Sequence, residues 1–134
     1  MSRPEDLKYT STHEWVRIDG DGDGGNIVTV GITDYAVEQL SDLAFVDLPE
    51  SGASVTRGAS FGEIESTKTV AELMAPVSGE IVEVNTEIVE NLELLSLTPF
   101  EAGWLVKIRA ADPEEFSSLL GEEQYDAQIK SEEH

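Results

Sequence analysis

The chain has 134 residues, of which 40% are hydrophobic, and its 28 acidic residues outnumber 8 basic ones to give a formal net charge of −20. This length and apolar content predict a single folded domain, whereas the scarcity of Lys and Arg argues against nucleic acid and anionic membrane surfaces as partners. Because the acids are scattered along the chain, we interpret them as a solubility device in the salty cytoplasm of a halophilic microbe; a docking surface for basic partners is the alternative. The sequence has no cysteine, no visible targeting segment and no apolar run of membrane-spanning length, so we expect a cytoplasmic protein without disulfides.

The first third of the chain predicts a β-hairpin followed by a short helix. Strand-forming residues fill Glu14–Ile18 and Ile27–Val30, and the Asp- and Gly-rich segment 19–26 between them indicates a flexible turn. Thr33 or Asp34 can cap a helix that continues to about position 40.

The middle of the chain predicts short strands separated by Pro and Gly turns. The predicted strands are Ala44–Leu48, Ser60–Ser66, Thr69–Met74, Gly79–Asn85 and Trp104–Arg109. Many short strands with turn residues between them favour a β-sandwich or barrel. Gly62 and Gly79 both open a Gly-Glu-Ile segment, which suggests two similar strand pairs; a coincidence between two valine- and glutamate-rich strands is the alternative.

The C-terminal segment predicts helices. Asp112 is a helix cap, Pro113 suits the first helical position, and acids follow in the first turn. Gly121 should end this helix, and residues 122–130 can form another. We therefore expect one domain over residues 1–134, with a β core at about 14–109 and a helical segment at about 112–130.

Lysine occurs only four times, and Lys68 is the only one in the middle of the chain. Predicted strands on both sides place it at or near a hairpin tip, where its ammonium group would extend into solvent. The neighbouring acids Glu63, Glu65 and Glu72 favour the charged form, so they disfavour an intrinsic nucleophile. From these residues alone, an ordinary solvated lysine is the simpler interpretation. An enzyme that used Lys68 as a base or Schiff-base nucleophile would need a desolvated pocket.

Metal sites and other catalytic signatures are poorly supported. The Asp-Gly repeat 19–24 is similar to the opening of a calcium-binding EF-hand loop, but Val30 stands where the closing bidentate Glu should be. His13 and His134 are too few and too far apart to indicate a metal centre. The two tryptophans are interpreted as core aromatics.

A set of motifs gives Lys68 a more specific interpretation. Gly62–Lys68, followed by Met74–Ile81, resembles the lipoyl-attachment region of the glycine cleavage H-protein family. The other motifs that resemble this family, in order, are Leu7–Thr10, His13–Val16, Val30–Ala36, Phe45–Pro49, Thr98–Phe100 and Gly103–Trp104. The match runs from about Pro4 to Tyr125. Each motif alone is weak, and the ordered set is specific.

Three residues depart from the family pattern. Thr67 precedes the lysine where Val is common, Leu92 stands where proline is usual, and Ser96 stands where asparagine is usual. The second and third departures put the conformation of the loop before Thr98 in question and leave the attachment site unaffected.

The resemblance implies a mainly β fold, a flattened barrel-sandwich hybrid with a short inserted helix and C-terminal helices. It implies a non-catalytic carrier whose lipoic acid is bound as N6-lipoyllysine at Lys68 by a lipoyl-attaching enzyme. The arm would shuttle the aminomethyl group of glycine from a PLP-dependent glycine decarboxylase to a tetrahydrofolate-dependent aminomethyltransferase. Dihydrolipoyl dehydrogenase would then reoxidise it.

Further site residues are expected on the same basis. Glu65, Gly52 and Gly79 should matter for attachment, although the glycines can instead meet turn dihedrals. A cleft that shelters the loaded arm is expected to be lined by Thr12, Glu14 and Glu72. Ordinary surface polarity is the alternative for each of these three.

Other carrier classes fit less well. A biotin carrier usually frames its lysine with methionines, and here the neighbours are Thr67 and Thr69. Lipoyl domains of 2-oxo-acid dehydrogenases are shorter and lack the His-Glu-Trp and Gly-Trp motifs. A lipoyl-relay or interaction module of the same fold, without a glycine cleavage role, remains open.

Overall fold

The computed structural model describes residues 7–22, 25–40 and 42–132, which form two antiparallel β-sheets and several short helices. The strands are β1 (Leu7–Tyr9), β2 (Glu14–Gly22), β3 (Gly25–Ile32), β4 (Leu43–Asp47), β5 (Ser54–Val55), β6 (Ser60–Ser66), β7 (Val70–Met74), β8 (Gly79–Val84) and β9 (Val106–Ala110). The helices are α1 (Asp34–Leu40), α2 (Thr86–Glu90), α3 (Glu93–Leu97) and α4 (Glu122–Glu132), with a 3-10 helix at Pro113–Ser118. The larger sheet has the order β1-β2-β3-β9-β8-β5 and the smaller one β4-β6-β7, so the predicted mainly β fold is confirmed.

The predicted hairpin between β2 and β3 forms, but its turn is shorter than expected. The ladder continues to the pair Gly22 and Gly25, with a register shift between Ile18 and Gly20. A bulge of this kind adds one residue to one strand, and the ladder resumes beyond it. The prediction of a flexible turn over residues 19–26 is therefore wrong for its outer parts, and residues 23–24 lie outside the described residues.

The shortest elements were not predicted. Strands β1 and β5 have three and two residues, and helices α2 and α3 have five each, so none of them is long enough to show a repeating hydrophobic pattern. The helix expected after Asp112 is a 3-10 helix, although Asp112 caps it as expected by accepting from the Glu114 N–H at 3.0 Å. At α1, Thr33 is the cap, because its hydroxyl accepts from the Ala36 N–H at 3.2 Å.

The two Gly-Glu-Ile segments begin with glycine for the same packing reason. They open within β6 and β8, which belong to different sheets. A Cβ atom at Gly62 would lie 2.4 Å from the Asp47 carbonyl oxygen, and one at Gly79 would lie 2.1 Å from the Arg109 carbonyl oxygen. Both glycines therefore permit a close approach of the neighbouring strand's backbone.

Two apolar clusters hold the elements together. The larger one joins buried residues of both sheets. The smaller one lies beneath α4, where the Tyr9 and Tyr125 rings stack at 4.8 Å and Trp15 donates its indole N–H to the Pro99 carbonyl at 2.9 Å. Trp15 is thus a core aromatic, as expected, while Trp104 is only partly buried against this cluster. None of the described helices is both long and apolar enough to span a bilayer.

Candidate functional site: an exposed lysine hairpin beside a buried carboxylate

Lys68 lies at the tip of the β6–β7 hairpin, which confirms its predicted position in the fold. The Ser66 N–H donates to the Thr69 carbonyl at 2.8 Å and closes the turn. Residues 67–70 are all exposed. No described residue forms an ion pair with Lys68, so its amine is available to a modifying enzyme. Such exposure is the opposite of the desolvated pocket that a Schiff-base lysine needs.

The Ser66 side chain, which sequence reasoning missed, holds this tip in shape. Its hydroxyl accepts from the backbone N–H groups of Lys68 at 3.2 Å and Thr69 at 3.1 Å. The Thr67 N–H donates to the Asp42 carbonyl at 2.9 Å and ties the tip to the chain before β4. A serine that accepts from N–H groups two and three residues later is typical of a side-chain-closed turn, so the signal was present in the sequence.

A carboxylate, Glu14, is buried at the start of β2. Its side chain is 1% exposed. One carboxylate oxygen accepts from the hydroxyls of Thr10 (2.7 Å) and Thr12, and the other accepts from the Met74 N–H at 3.3 Å. Burial raises the pKa of Glu14 from 4.5 to about 7, and the hydrogen bonds from Thr12, Thr10 and Met74 oppose that rise. Near neutral pH this group therefore exists in both protonation states.

Glu14 borders a cavity of about 290 Å³. Thr12, Glu14 and Glu72, the three residues predicted from the resemblance to share a cleft, all line it. Strand β7 supplies one wall through Ala71, Glu72 and Leu73, three to five positions after Lys68. The apolar walls and the one buried carboxylate make the cavity suited to an extended apolar chain that ends in a cation.

Helix α4 closes another side of this cavity, which the sequence did not predict. His13 and Glu132 both line it, and their side chains approach at 3.2 Å. The other ring nitrogen of His13 lies 2.7 Å from the Tyr125 hydroxyl. The sequence indicated His13 as the start of a family motif and as a poor metal-ligand candidate, and no group of His and acidic side chains in the described part of the chain could hold a metal. His134 lies outside that part.

Glu65, Gly52 and Gly79 do not line this cavity. Glu65 lies opposite Val70 in the β6–β7 ladder, near Lys68. Gly52 has φ +95°, a conformation that favours glycine, whereas no such φ occurs at Gly79. The turn-dihedral explanation therefore holds for Gly52 and is wrong for Gly79, where the close approach of Arg109 is the constraint. These two glycines line a separate cavity of about 510 Å³.

The unusual residue Leu92 fits its loop. Its φ is −65°, the value that a proline ring would impose, so the same backbone forms without the proline. Thr67 and Ser96 are both exposed, and neither substitution disturbs the core.

Comparison with known proteins agrees with this geometry. A profile of the family described as "Glycine cleavage H-protein" matches residues 7–132. The chain is 45% identical to the glycine cleavage system H protein of Geobacillus sp. (strain WCH70) over 130 residues, which are 97% of this chain and 98% of that protein. It is 44% identical to the one from Staphylococcus carnosus (strain TM300) over 129 residues, covering 96% and 98% of the two chains.

The fold is also similar to the crystal structure of a glycine cleavage system H protein from Mycobacterium marinum. The TM-score is 0.85 at 46% sequence identity, over 96% of this chain and 99% of that one. Sequence and structure thus agree over nearly the whole length, and the chain belongs to the glycine cleavage H-protein family.

Proposed function

We propose that this chain is the lipoyl carrier of the glycine cleavage system, with the lipoyl group bound to Lys68 as N6-lipoyllysine. The carrier role follows from family membership. The single observation that supports the attachment site is the exposure of Lys68 at the tip of the β6–β7 hairpin. When bound, the lipoyl group supplies a dithiolane whose sulfur takes up the aminomethyl group of glycine and is reduced in doing so.

The residues of this chain fit such an arm. An amide bond at Lys68 removes one positive charge without breaking a described ion pair. The arm spans roughly a dozen bonds of about 1.5 Å, which is on the order of 15 Å when extended. The cavity residues Ala71–Leu73 begin about 10 Å along the strand from Lys68, at roughly 3.3 Å per residue. The arm therefore has the length to fold back into the cavity.

Glu14, Thr12 and Glu72 would hold the loaded end of the arm. A cationic amine in the cavity favours the ionised form of Glu14, whose charge acts more strongly in a buried site than in water. The threonine hydroxyls of Thr10 and Thr12 already donate to one oxygen of this carboxylate and fix its orientation. The chain would thereby keep the loaded arm from solvent until a partner enzyme withdraws it.

The chain itself would catalyse no step. A glycine decarboxylase, an aminomethyltransferase and a dihydrolipoyl dehydrogenase would act on the arm in turn, after a lipoyl-attaching enzyme has installed it. An exposed hairpin tip suits this sequence of partners, because each can reach the arm without unfolding the carrier.

Mass spectrometry of the protein purified from its own host tests the attachment. We expect one lipoyl group per chain, localised to the peptide that contains Lys68. A biotin group there would indicate a carboxylase carrier. An unmodified Lys68, in cells that grow on glycine and lipoylate other proteins, would contradict the carrier function and favour an interaction module.

The sheltering role is tested by the lifetime of the loaded arm in the isolated carrier. Glu14→Gln should shorten it about tenfold, the scale of one lost charge-assisted hydrogen bond. Glu38→Gln is the matched control, because Glu38 is exposed on α1 beside the cavity and does not line it. Equal lifetimes for the two variants would contradict sheltering by Glu14 and leave the attachment at Lys68 unaffected.

A further inference from the structure

The turn between β1 and β2 borders the cavity and carries the two hydroxyl groups that donate to Glu14. Thr10 and Thr12 both donate to the Glu14 carboxylate from this turn. His13, the next residue, has φ +74° and is the only described non-glycine residue with a positive φ. A histidine in this left-handed region is strained unless its surroundings fix it. The turn therefore depends on contacts from outside it.

Helix α4 supplies those contacts. The Gln128 side-chain amide donates to the Ser11 carbonyl at 2.7 Å and to Glu132 at 2.8 Å. The two nitrogens of the His13 ring meet the Tyr125 hydroxyl at 2.7 Å and the Glu132 carboxylate at 3.2 Å. Three residues on one face of α4 thus hold the turn at two positions, Ser11 and His13.

The hydrogen-bond chain has one consistent direction when His13 is neutral. A carboxylate can only accept, so the nitrogen facing Glu132 carries the proton and the nitrogen facing Tyr125 accepts. The Tyr125 hydroxyl donates to that nitrogen and accepts from the Thr33 hydroxyl at 2.6 Å. Thr33 is also the cap of α1. This series of hydrogen bonds therefore connects α1, α4 and the β1–β2 turn around the cavity.

We propose that His13 is a positioning residue of the arm cavity: held in its left-handed conformation by α4, it aims Thr12 at Glu14 and so controls how long the loaded arm stays sheltered. The proposal rests on the proposed function, because it assigns α4 a role at the same cavity. Gln128 also positions the turn, by its hydrogen bond to the Ser11 carbonyl, and Glu132 does so by its contact with the His13 ring. None of these three side chains donates a hydrogen bond to the Glu14 carboxylate, whose donors are Thr10, Thr12 and Met74; each acts through the turn.

Two variants separate positioning from stability. His13→Asn keeps a residue type that tolerates positive φ but cannot bridge Tyr125 and Glu132 in the same way. Gln128→Ala removes the anchor on Ser11 together with the hydrogen bond to Glu132, and it leaves the His13 side chain in place. The matched control is Glu123→Gln, since Glu123 is an exposed acid in the first turn of α4 and lines no described cavity.

The first measurement uses the unmodified chain and follows the Glu14 carboxyl carbon by NMR across a pH titration. When Thr12 is no longer held in place, the Glu14 pKa should rise further, because the hydrogen bond from Thr12 is the largest effect that lowers it. Amide hydrogen exchange at positions 11–14 should become faster in both variants, while exchange in β3 and β9 stays unchanged. A variant that merely lowers global stability would change all of these amides together.

The second measurement is the lifetime of the loaded arm. We expect it to fall about threefold to tenfold in His13→Asn and Gln128→Ala, the range that loss of one hydrogen bond gives, and to stay unchanged in Glu123→Gln. If Glu14→Gln shortens the lifetime and both positioning variants leave it and the Glu14 titration unchanged, the positioning role is wrong and sheltering stands. If Glu14→Gln has no effect either, sheltering itself is wrong. Should His13→Asn fail to fold, Gln128→Ala decides the result alone.

Discussion

Lys68 and Glu14, the charged residues at the two ends of the functional region, differ in their exposure to water. Lys68 lies in water at a hairpin tip, where nothing in the described part of the chain pairs with it. Glu14, which meets β7 at its other end through the Met74 N–H, is removed from water and held by three hydrogen bonds. Under the proposed function, the amine that would be modified is thus accessible, and the carboxylate that would hold a cation is buried.

This difference separates attachment from sheltering. Lys68 is exposed at a hairpin tip, so its recognition by an attaching enzyme would depend on the shape of the hairpin that presents it. Burial gives Glu14 a pKa of about 7, so its charge responds to a nearby cation at neutral pH. Variants of Lys68 should therefore affect lipoyl attachment, whereas variants of Glu14 should affect sheltering of the loaded arm.

The largest effect is expected at the exposed end. Lys68→Arg keeps the positive charge but cannot form the amide, so lipoylation and glycine cleavage with the partner enzymes should be lost completely. Thermal stability should stay the same, because the side chain is exposed. Lys8→Arg, an equally exposed change on β1, should retain full activity. Residual lipoylation of the Lys68→Arg protein would show that attachment is not confined to the hairpin.

At the buried end, the effect should appear as a pH dependence of folding. Between pH 4.5 and about 7 the folded chain keeps a proton on Glu14 that the unfolded chain has released, so stability falls as the pH rises and then levels off. The wild type should lose up to about 3 kcal/mol relative to Glu14→Gln across this window. Urea unfolding of both proteins at pH 5, 6, 7 and 8 measures the difference. A constant difference would mean that Glu14 is not desolvated.

A third region, which contains Gly52 and Gly79, tests whether residues away from Lys68 and Glu14 are also needed for lipoyl attachment. Gly79 lies beyond the end of β7, and a Cβ there would meet the Arg109 carbonyl at 2.1 Å. Gly79→Ala should cost about 2–3 kcal/mol of folding free energy, because backbone atoms must move. Gly52→Ala, with φ +95° and open space around it, should cost less, about 1–2 kcal/mol. In both variants the folded fraction should still be lipoylated; loss of attachment without loss of stability would give these glycines a recognition role.

The smallest effect concerns the shape of the tip. Ser66→Ala removes the acceptor for the Lys68 and Thr69 N–H groups and should cost about 1 kcal/mol. Hydrogen exchange at these two amides should accelerate, and the rate of lipoyl attachment should fall about twofold to fivefold. Ser131→Ala on α4 serves as the exposed control. An unchanged attachment rate would mean that the attaching enzyme reshapes the hairpin itself.

Much of the fold could be predicted, because its main strands are long enough to carry a pattern. Segment 60–66 was predicted with the observed bounds, and the strands at β4, β7, β8 and β9 were predicted within two residues of them. The interpretation of the scattered acids as an adaptation to salt, and the expected cytoplasmic location, stay predictions.

The sequence by itself determined the hairpin position of Lys68, since strand-forming residues on both sides of a polar tip leave few other arrangements. The order of the motifs also indicated the family, and the resemblance to that family implied that Thr12, Glu14 and Glu72 share a cleft. Residues 60 positions apart, such as Glu14 and Met74, come together only when the two sheets pack. Burial of a carboxylate is a property of that packing, so no local pattern could indicate the raised pKa of Glu14.

Only the tertiary structure decided the role of α4. His13 and Glu132 are 119 positions apart, and Glu132 is one of many acids, so no local pattern indicates that it is the partner of His13. Their contact depends on the stacking of Tyr9 on Tyr125, which places the helix against the β1–β2 turn. Local sequence specifies strands and turns through short-range backbone preferences, whereas the shape and charge of a cavity depend on long-range packing.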